Sequence, residues 1–126
     1  MKKILVVDDE PDIIELTQKR LEANNYKVIL ASDGKWGLKK AQEEKPDLIL
    51  MDVLMPEMQG GDAVRLLQAD EATKHIPILF LSGGMVNLPP GEETRGVDIG
   101  GKFFTAVAKP FKLEKLLSEI KKLIGD

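Results

Sequence analysis

A chain of 126 residues, 43% of them hydrophobic, has the length for one domain with a packed core. Its formal net charge of -3 and isoelectric point near 5.3 lack the basic excess of a nucleic-acid footprint, so direct nucleic-acid binding is not expected. With no cysteine there is no disulfide or thiolate chemistry, and no apolar stretch is long enough for a signal peptide or membrane span. A single domain over residues 1–126, cytoplasmic and without membrane contacts, is the expectation.

The first apolar run, Ile4 to Val7, ends in Asp8-Asp9. Pro11 then opens a helical pattern, with Asp9 and Glu10 placed to cap it or complement its dipole. Ile13, Ile14, Leu16, Thr17 and Leu21 share one arc, and Asn24-Asn25 ends the helix. A second apolar run covers Tyr26 to Leu30. The next helix follows Asp33-Gly34, runs through Leu38 and Ala41 to Glu44 and stops before Pro46, with Trp36 packed on it.

Leu48 to Met51 is the third run; Asp52 closes it, and Val53-Leu54-Met55-Pro56 follow. A helix fits Gly61 to Gln68, with Ala63, Val64, Leu66 and Leu67 as its inner face. The polar segment holding His75, which should be exposed, leads into Ile78 to Leu81. Residues 83–102 contain Pro89-Pro90 and six glycines, a composition that does not suit a long helix. A loop is expected there, with at most a short helix near Glu92 to Gly96. Phe104 to Ala108 is the fifth run. The last helix keeps Leu113, Leu116, Leu117, Ile120, Leu123 and Ile124 in helical period, with lysines and glutamates as its wet face.

Runs that are apolar throughout, alternating with helices, indicate a parallel sheet covered on both faces. Right-handed crossovers then bring the carboxyl ends of all strands to one edge, where open α/β sheets bind ligands. The residues placed there are Asp8 and Asp9, Asp52, Ser82 and Lys109. Taken singly, the acid pair would be a helix cap, Ser82 a turn residue and Lys109 a solvated amine. A strand-end acid among aliphatics, as Asp52 is, needs a partner.

Together these residue types have a chemical logic. Hard carboxylate oxygens without histidine or cysteine suit Mg²⁺. An aspartate can accept a phosphoryl group covalently, and phosphoryl transfer needs mainly positioning and countering of charge. Mg²⁺, Lys109 and the Ser82 hydroxyl could each take one phosphoryl oxygen.

Asp8-Asp9, Asp52-Val53-Leu54-Met55-Pro56 with Gly60, Leu81-Ser82-Gly83 and Lys109-Pro110-Phe111 occur in order, each at a strand end. With these four motifs the chain resembles, end to end, the receiver domain of bacterial two-component response regulators. The resemblance implies a flavodoxin-like, doubly wound five-stranded parallel sheet of order 2-1-3-4-5, here with the fourth helix short or missing. It implies that Asp52 accepts phosphate from a sensor histidine kinase or histidine phosphotransfer protein. Asp9, Asp52 and the backbone carbonyl of Leu54 would hold Mg²⁺, with Asp8 supporting it mostly through water. Ser82 would move toward the phosphoryl group and carry the signal to a downstream protein target.

Two departures stand out. The family tends to carry an aromatic switch residue three positions before its lysine, where this chain has Ala106; among the nearby aromatics only Phe103 shares the parity of Lys109. Leu54 and Gly84 lack groups that could orient an attacking water, so slow loss of phosphate is expected. Because the chain stops at Asp126, just after the last helix, output through protein contacts is expected rather than through an attached domain. Two other readings are a receiver-shaped binding module that works without phosphorylation and an aspartyl phosphohydrolase. The second acid expected of a phosphohydrolase is missing, since Leu54 stands two residues after Asp52.

Overall fold

The computed structural model describes residues 1–52, 60–82, 94–99, 102–108 and 112–125. In chain order the elements are β1 (Lys3–Val7), α1 (Pro11–Ala23), β2 (Lys27–Ala31), α2 (Gly34–Glu44), β3 (Leu48–Asp52), α3 (Gly60–Ala69), β4 (Ile78–Ser82), β5 (Thr94–Ile99), β6 (Lys102–Ala108) and α4 (Leu113–Ile124). The strands form one sheet of order β2-β1-β3-β4-β6-β5. β2, β1, β3, β4 and β6 run parallel, so the five parallel strands have the expected order 2-1-3-4-5.

Side chains of the parallel strands alternate between two cores. Leu5, Val7, Ile49, Met51, Phe80 and Ala106 face Ala41 of α2 and Ala63, Val64 and Leu67 of α3. Ile4, Val6, Leu48, Leu50, Leu81 and Val107 face Leu21 of α1 and Leu116 and Ile120 of α4. Every residue of β3 is buried, which explains an apolar run without alternation. Each fully buried Leu, Ile or Val contributes about 1.5–3 kcal/mol.

Local chemistry sets the helix ends. The Asp33 carboxylate accepts the Trp36 N–H at 2.8 Å and caps α2. α2 ends at Lys45, whose left-handed backbone (φ 47°) lets its N–H reach the Ala41 carbonyl. Asn25, at φ 69°, makes the turn after α1, a conformation that asparagine tolerates better than most residues.

Of the segment expected to be a loop, residues 83–93 and 100–101 lie outside the described residues, and the described part departs from expectation. Thr94–Ile99 is a sixth strand, paired antiparallel with β6 from Thr94↔Val107 to Ile99↔Lys102, not a loop or a short helix. Of the short helix expected near Glu92 to Gly96, Glu92 and Glu93 lie outside the described residues. The hairpin also lengthens the last parallel strand, which begins at Lys102 rather than Phe104. Because β5 pairs with β6 alone, it forms an antiparallel border on an otherwise parallel sheet.

Three side chains lie farther out than expected. Leu16 of α1 is 47% exposed and Leu66 of α3 is 45% exposed. Each helix needs only a narrow stripe against the sheet, which Thr17 and Leu21 fill in α1 and Ala63, Val64 and Leu67 in α3. Trp36 is not packed into α2's buried face, which the small residues Gly34, Gly37 and Ala41 occupy; the indole is 50% exposed.

Candidate functional site

β1 and β3 are neighbours in parallel register, with Val7 opposite Met51, so the residues that follow meet at one edge. Asp8 follows Val7 and Asp52 ends β3. α2 closes on this end of β1 because Gly37 has no side chain: a Cβ there would lie 2.8 Å from Val7 Cγ2.

Asp8 is wholly buried and held by its own backbone and side chain. Its N–H donates to the Ala31 carbonyl at 3.1 Å, and its Oδ1 accepts the Glu10 N–H at 3.0 Å. That second bond fixes the turn into α1. Glu10 occupies the N-cap position of α1, but its side chain makes no capping hydrogen bond.

Asp8, Asp9, Glu10 and Asp52 each offer a carboxylate oxygen within 4.8 Å of the others. Asp8 and Asp52 are buried, whereas Asp9 and Glu10 are exposed, so the cluster opens to solvent on one side. Two charges 4.8 Å apart repel by on the order of 3 kcal/mol at an effective dielectric of ~20, which a divalent cation would reverse. The all-oxygen donor set fits a hard ion.

Glu10 is a member of the cluster that its sequence pattern did not single out. Its adjacency to the acid pair was the available signal, masked by its equally good fit to a helix start. Ser82 is the last residue of β4 and pairs with Ala108, the last of β6, so both strands end at the same edge. Lys109, Leu54 and Gly84 lie outside the described residues.

Residues 4–121 match the response regulator receiver domain family. The chain belongs to that family. As a receiver it is a phosphorylatable module of two-component signalling. Over 123 residues it is 37% identical to the alkaline phosphatase synthesis transcriptional regulatory protein PhoP of Bacillus subtilis, covering 98% of this chain and 48% of PhoP. It is 30% identical to the polar-differentiation response regulator DivK of Brucella anthropi, covering 99% of this receiver and 98% of DivK. PhoP and two other curated relatives are about twice as long, this receiver spanning 48%, 49% and 53% of them.

Solved structures agree with the fold. Vibrio cholerae CheY4 superposes with a TM-score of 0.80 at 31% identity, covering 98% of each chain. The receiver domain of the sensor histidine kinase PA1611 from Pseudomonas aeruginosa has a TM-score of 0.84 at 27% identity, covering 99% of this chain and 98% of its own. That domain was crystallised with magnesium coordinated in its active-site cleft. No helix among the described residues of this receiver is long and apolar enough to cross a membrane.

Proposed function

We propose that Asp52 is the phosphoacceptor of this receiver and that residues 1–126 act as one receiver domain. The observation that carries the reading is the four-carboxylate cluster at the carboxyl edge of β1 and β3, in which Asp52 is the acid that ends a strand. The donor is a phosphohistidine of a sensor histidine kinase or histidine phosphotransfer protein. One Asp52 oxygen attacks phosphorus; the new P–O bond forms as the P–N bond breaks, and the imidazole leaves with its electron pair and takes up a proton.

Asp9 and Asp52, with the Leu54 carbonyl, would hold Mg²⁺, and Asp8 would support it through water. When bound, the ion supplies positive charge to the acid cluster and to the equatorial phosphoryl oxygens. Asp8 holds the turn of Asp9 and Glu10 through its bond to the Glu10 N–H. Ser82 and Lys109 take the remaining phosphoryl oxygens, as hydrogen-bond donor and as cation. The receiver then signals by population shift to a protein target, through a surface biased by the phosphate. A cytoplasmic setting fits a phosphohistidine donor.

Incubation with Mg²⁺ and acetyl phosphate, followed by intact mass, tests the reading. One phosphoryl adduct is expected, absent from Asp52→Asn and from metal-chelated protein. An adduct that survives in Asp52→Asn overturns the assignment, and no adduct on the parent chain favours a binding module that works without phosphate. Rapid repeated turnover of the donor would identify a phosphohydrolase instead.

A further inference from the structure

Between its caps, helix α2 carries its charges in the order that the dipole disfavours. Its first two turns hold Lys35, Lys39 and Lys40, its last turn holds Glu43 and Glu44, and it has neither an acid in the first turn nor a base in the last. The helix dipole favours the reverse at both ends. In the Lys39–Glu43 pair, at 4.0 Å, the lysine comes first, which is the weaker orientation for an i,i+4 pair. Asp33 at the N-cap and Lys45 at the C-cap supply the favourable charges at the two ends, so the lysines of the first two turns are surface charge rather than helix support.

The same turns expose the one tryptophan of the chain. Trp36 is 50% exposed, with Lys39 Nζ 5.1 Å from its ring centroid. Asp33, Lys35, Trp36, Leu38, Lys39 and Gln42 line a groove of about 660 Å³. The Asp33 carboxylate keeps its charge while it caps the Trp36 N–H, so the charged lining is two lysines against one acid, with the positive sign in excess. On a chain of net charge -3 this is a local reversal of sign around a large aromatic surface. Aromatic rings beside cations anchor protein interfaces, and opposite charge on the partner steers and orients it.

We propose that this groove docks an acidic segment of a partner protein. The segment inserts an aliphatic or aromatic side chain beside Trp36 and sets carboxylates against Lys35 and Lys39. The start of α2 follows β2, which runs parallel to β1, so the docked segment lies at the sheet edge that also carries Asp8 and Asp52. The surface is separate from the acid cluster, and its function does not depend on which residue accepts phosphate.

Trp36 emission reports on this site alone, because the chain has no other tryptophan. The probe is a short amphipathic peptide with leucines four residues apart and glutamates between them. The expected result is a saturable blue shift of emission, weakened at least about tenfold in a Lys35→Glu/Lys39→Glu variant and by added salt. With labelled peptide, Trp36→Ala should lose binding while its circular dichroism and its phosphoryl uptake from acetyl phosphate stay unchanged. Equal binding of the peptide with lysines in place of glutamates would overturn the proposal. So would a shift with oligothymidylate instead, which marks a nucleic-acid site, or with protein concentration alone, which marks a second copy. No saturable shift at millimolar peptide would also overturn it.

Discussion

Ala106 of β6 lies directly beside Phe80 of β4 in the parallel register, and Phe104, two residues earlier on β6, meets the Phe80 ring edge to face. The Phe80 and Phe104 centroids are 5.8 Å apart with their planes at 90°. The large ring on one strand is matched by a small residue beside it and an aromatic edge one step along. Ala106, at the position of the family's aromatic switch, is wholly buried, so a larger side chain there has no room on this face of the sheet.

Ala106→Tyr is therefore expected to destabilise the fold rather than restore a switch. Overpacking of a filled core costs about 1–3 kcal/mol, and the ring would have to displace Phe80 or Phe104. Urea unfolding followed by circular dichroism measures the cost. An unchanged midpoint would mean that the hairpin yields to admit the ring.

Much of this architecture was legible because burial writes itself into the sequence. β1 and β3 are covered on both faces, so their runs are apolar throughout, and the acids that interrupt the pattern, Asp8 and Asp52, are the ones at the site. The β5–β6 hairpin was not legible in the same way. Gly96 and Asp98 are poor strand formers, and β5 is held by its register with β6 rather than by its own composition. Its signal was the Gly100-Gly101 pair between Ile99 and Lys102, a two-residue spacing typical of hairpins, which a composition-based reading absorbs into a glycine-rich loop. Trp36, expected to pack on α2, is half exposed because the small residues Gly34, Gly37 and Ala41 already fill the buried face of that helix.

Crowding of Asp52 against Asp8, Asp9 and Glu10 makes stability depend on metal in a way that a substitution can invert. With metal chelated, Asp52→Asn removes one charge from the cluster and is expected to be more stable than the parent by roughly 1–2 kcal/mol. With Mg²⁺ at a hundredfold excess over its Kd, the parent should gain about 2.7 kcal/mol and the variant much less. Thermal unfolding of both proteins, with chelator and with Mg²⁺, gives the four values required. The cluster is not a cation site if Mg²⁺ leaves the parent's Tm unmoved.

Asp70, just past the end of α3, carries a pH signature. Its carboxylate accepts the Ala72 backbone N–H at 2.9 Å and the Gln42 side-chain amide at 2.8 Å, and these bonds hold its carboxyl below the ordinary carboxylate value. A group depressed in the folded state contributes stability above its unfolded pKa and loses it as pH falls through the folded value, so the loss falls below about pH 4. Carboxyl carbon NMR should show Asp70 titrating below the ordinary aspartate value. In Gln42→Ala its midpoint should rise part of the way back, since the Ala72 bond remains. A midpoint that does not move would place the whole effect on Ala72.

Thr73 closes the far end of α3. Its hydroxyl donates to the Leu67 carbonyl at 2.7 Å, and the residue is wholly buried. That carbonyl lies in the last turn of the helix, where its backbone donor, the Asp70 N–H, stands at a long 3.4 Å, so the Thr73 hydroxyl is the shorter bond. Thr73→Val keeps the shape and removes the donor, so the Leu67 carbonyl loses a partner away from water, at an expected cost of about 1–3 kcal/mol. Thr73→Ser keeps the donor and gives up only a methyl group, worth about 1 kcal/mol or less. Urea midpoints should therefore fall in the order parent, Ser, Val. If Val proves at least as stable as Ser, packing at this position outweighs the hydrogen bond, and the end of α3 is fixed by the surrounding core rather than by Thr73.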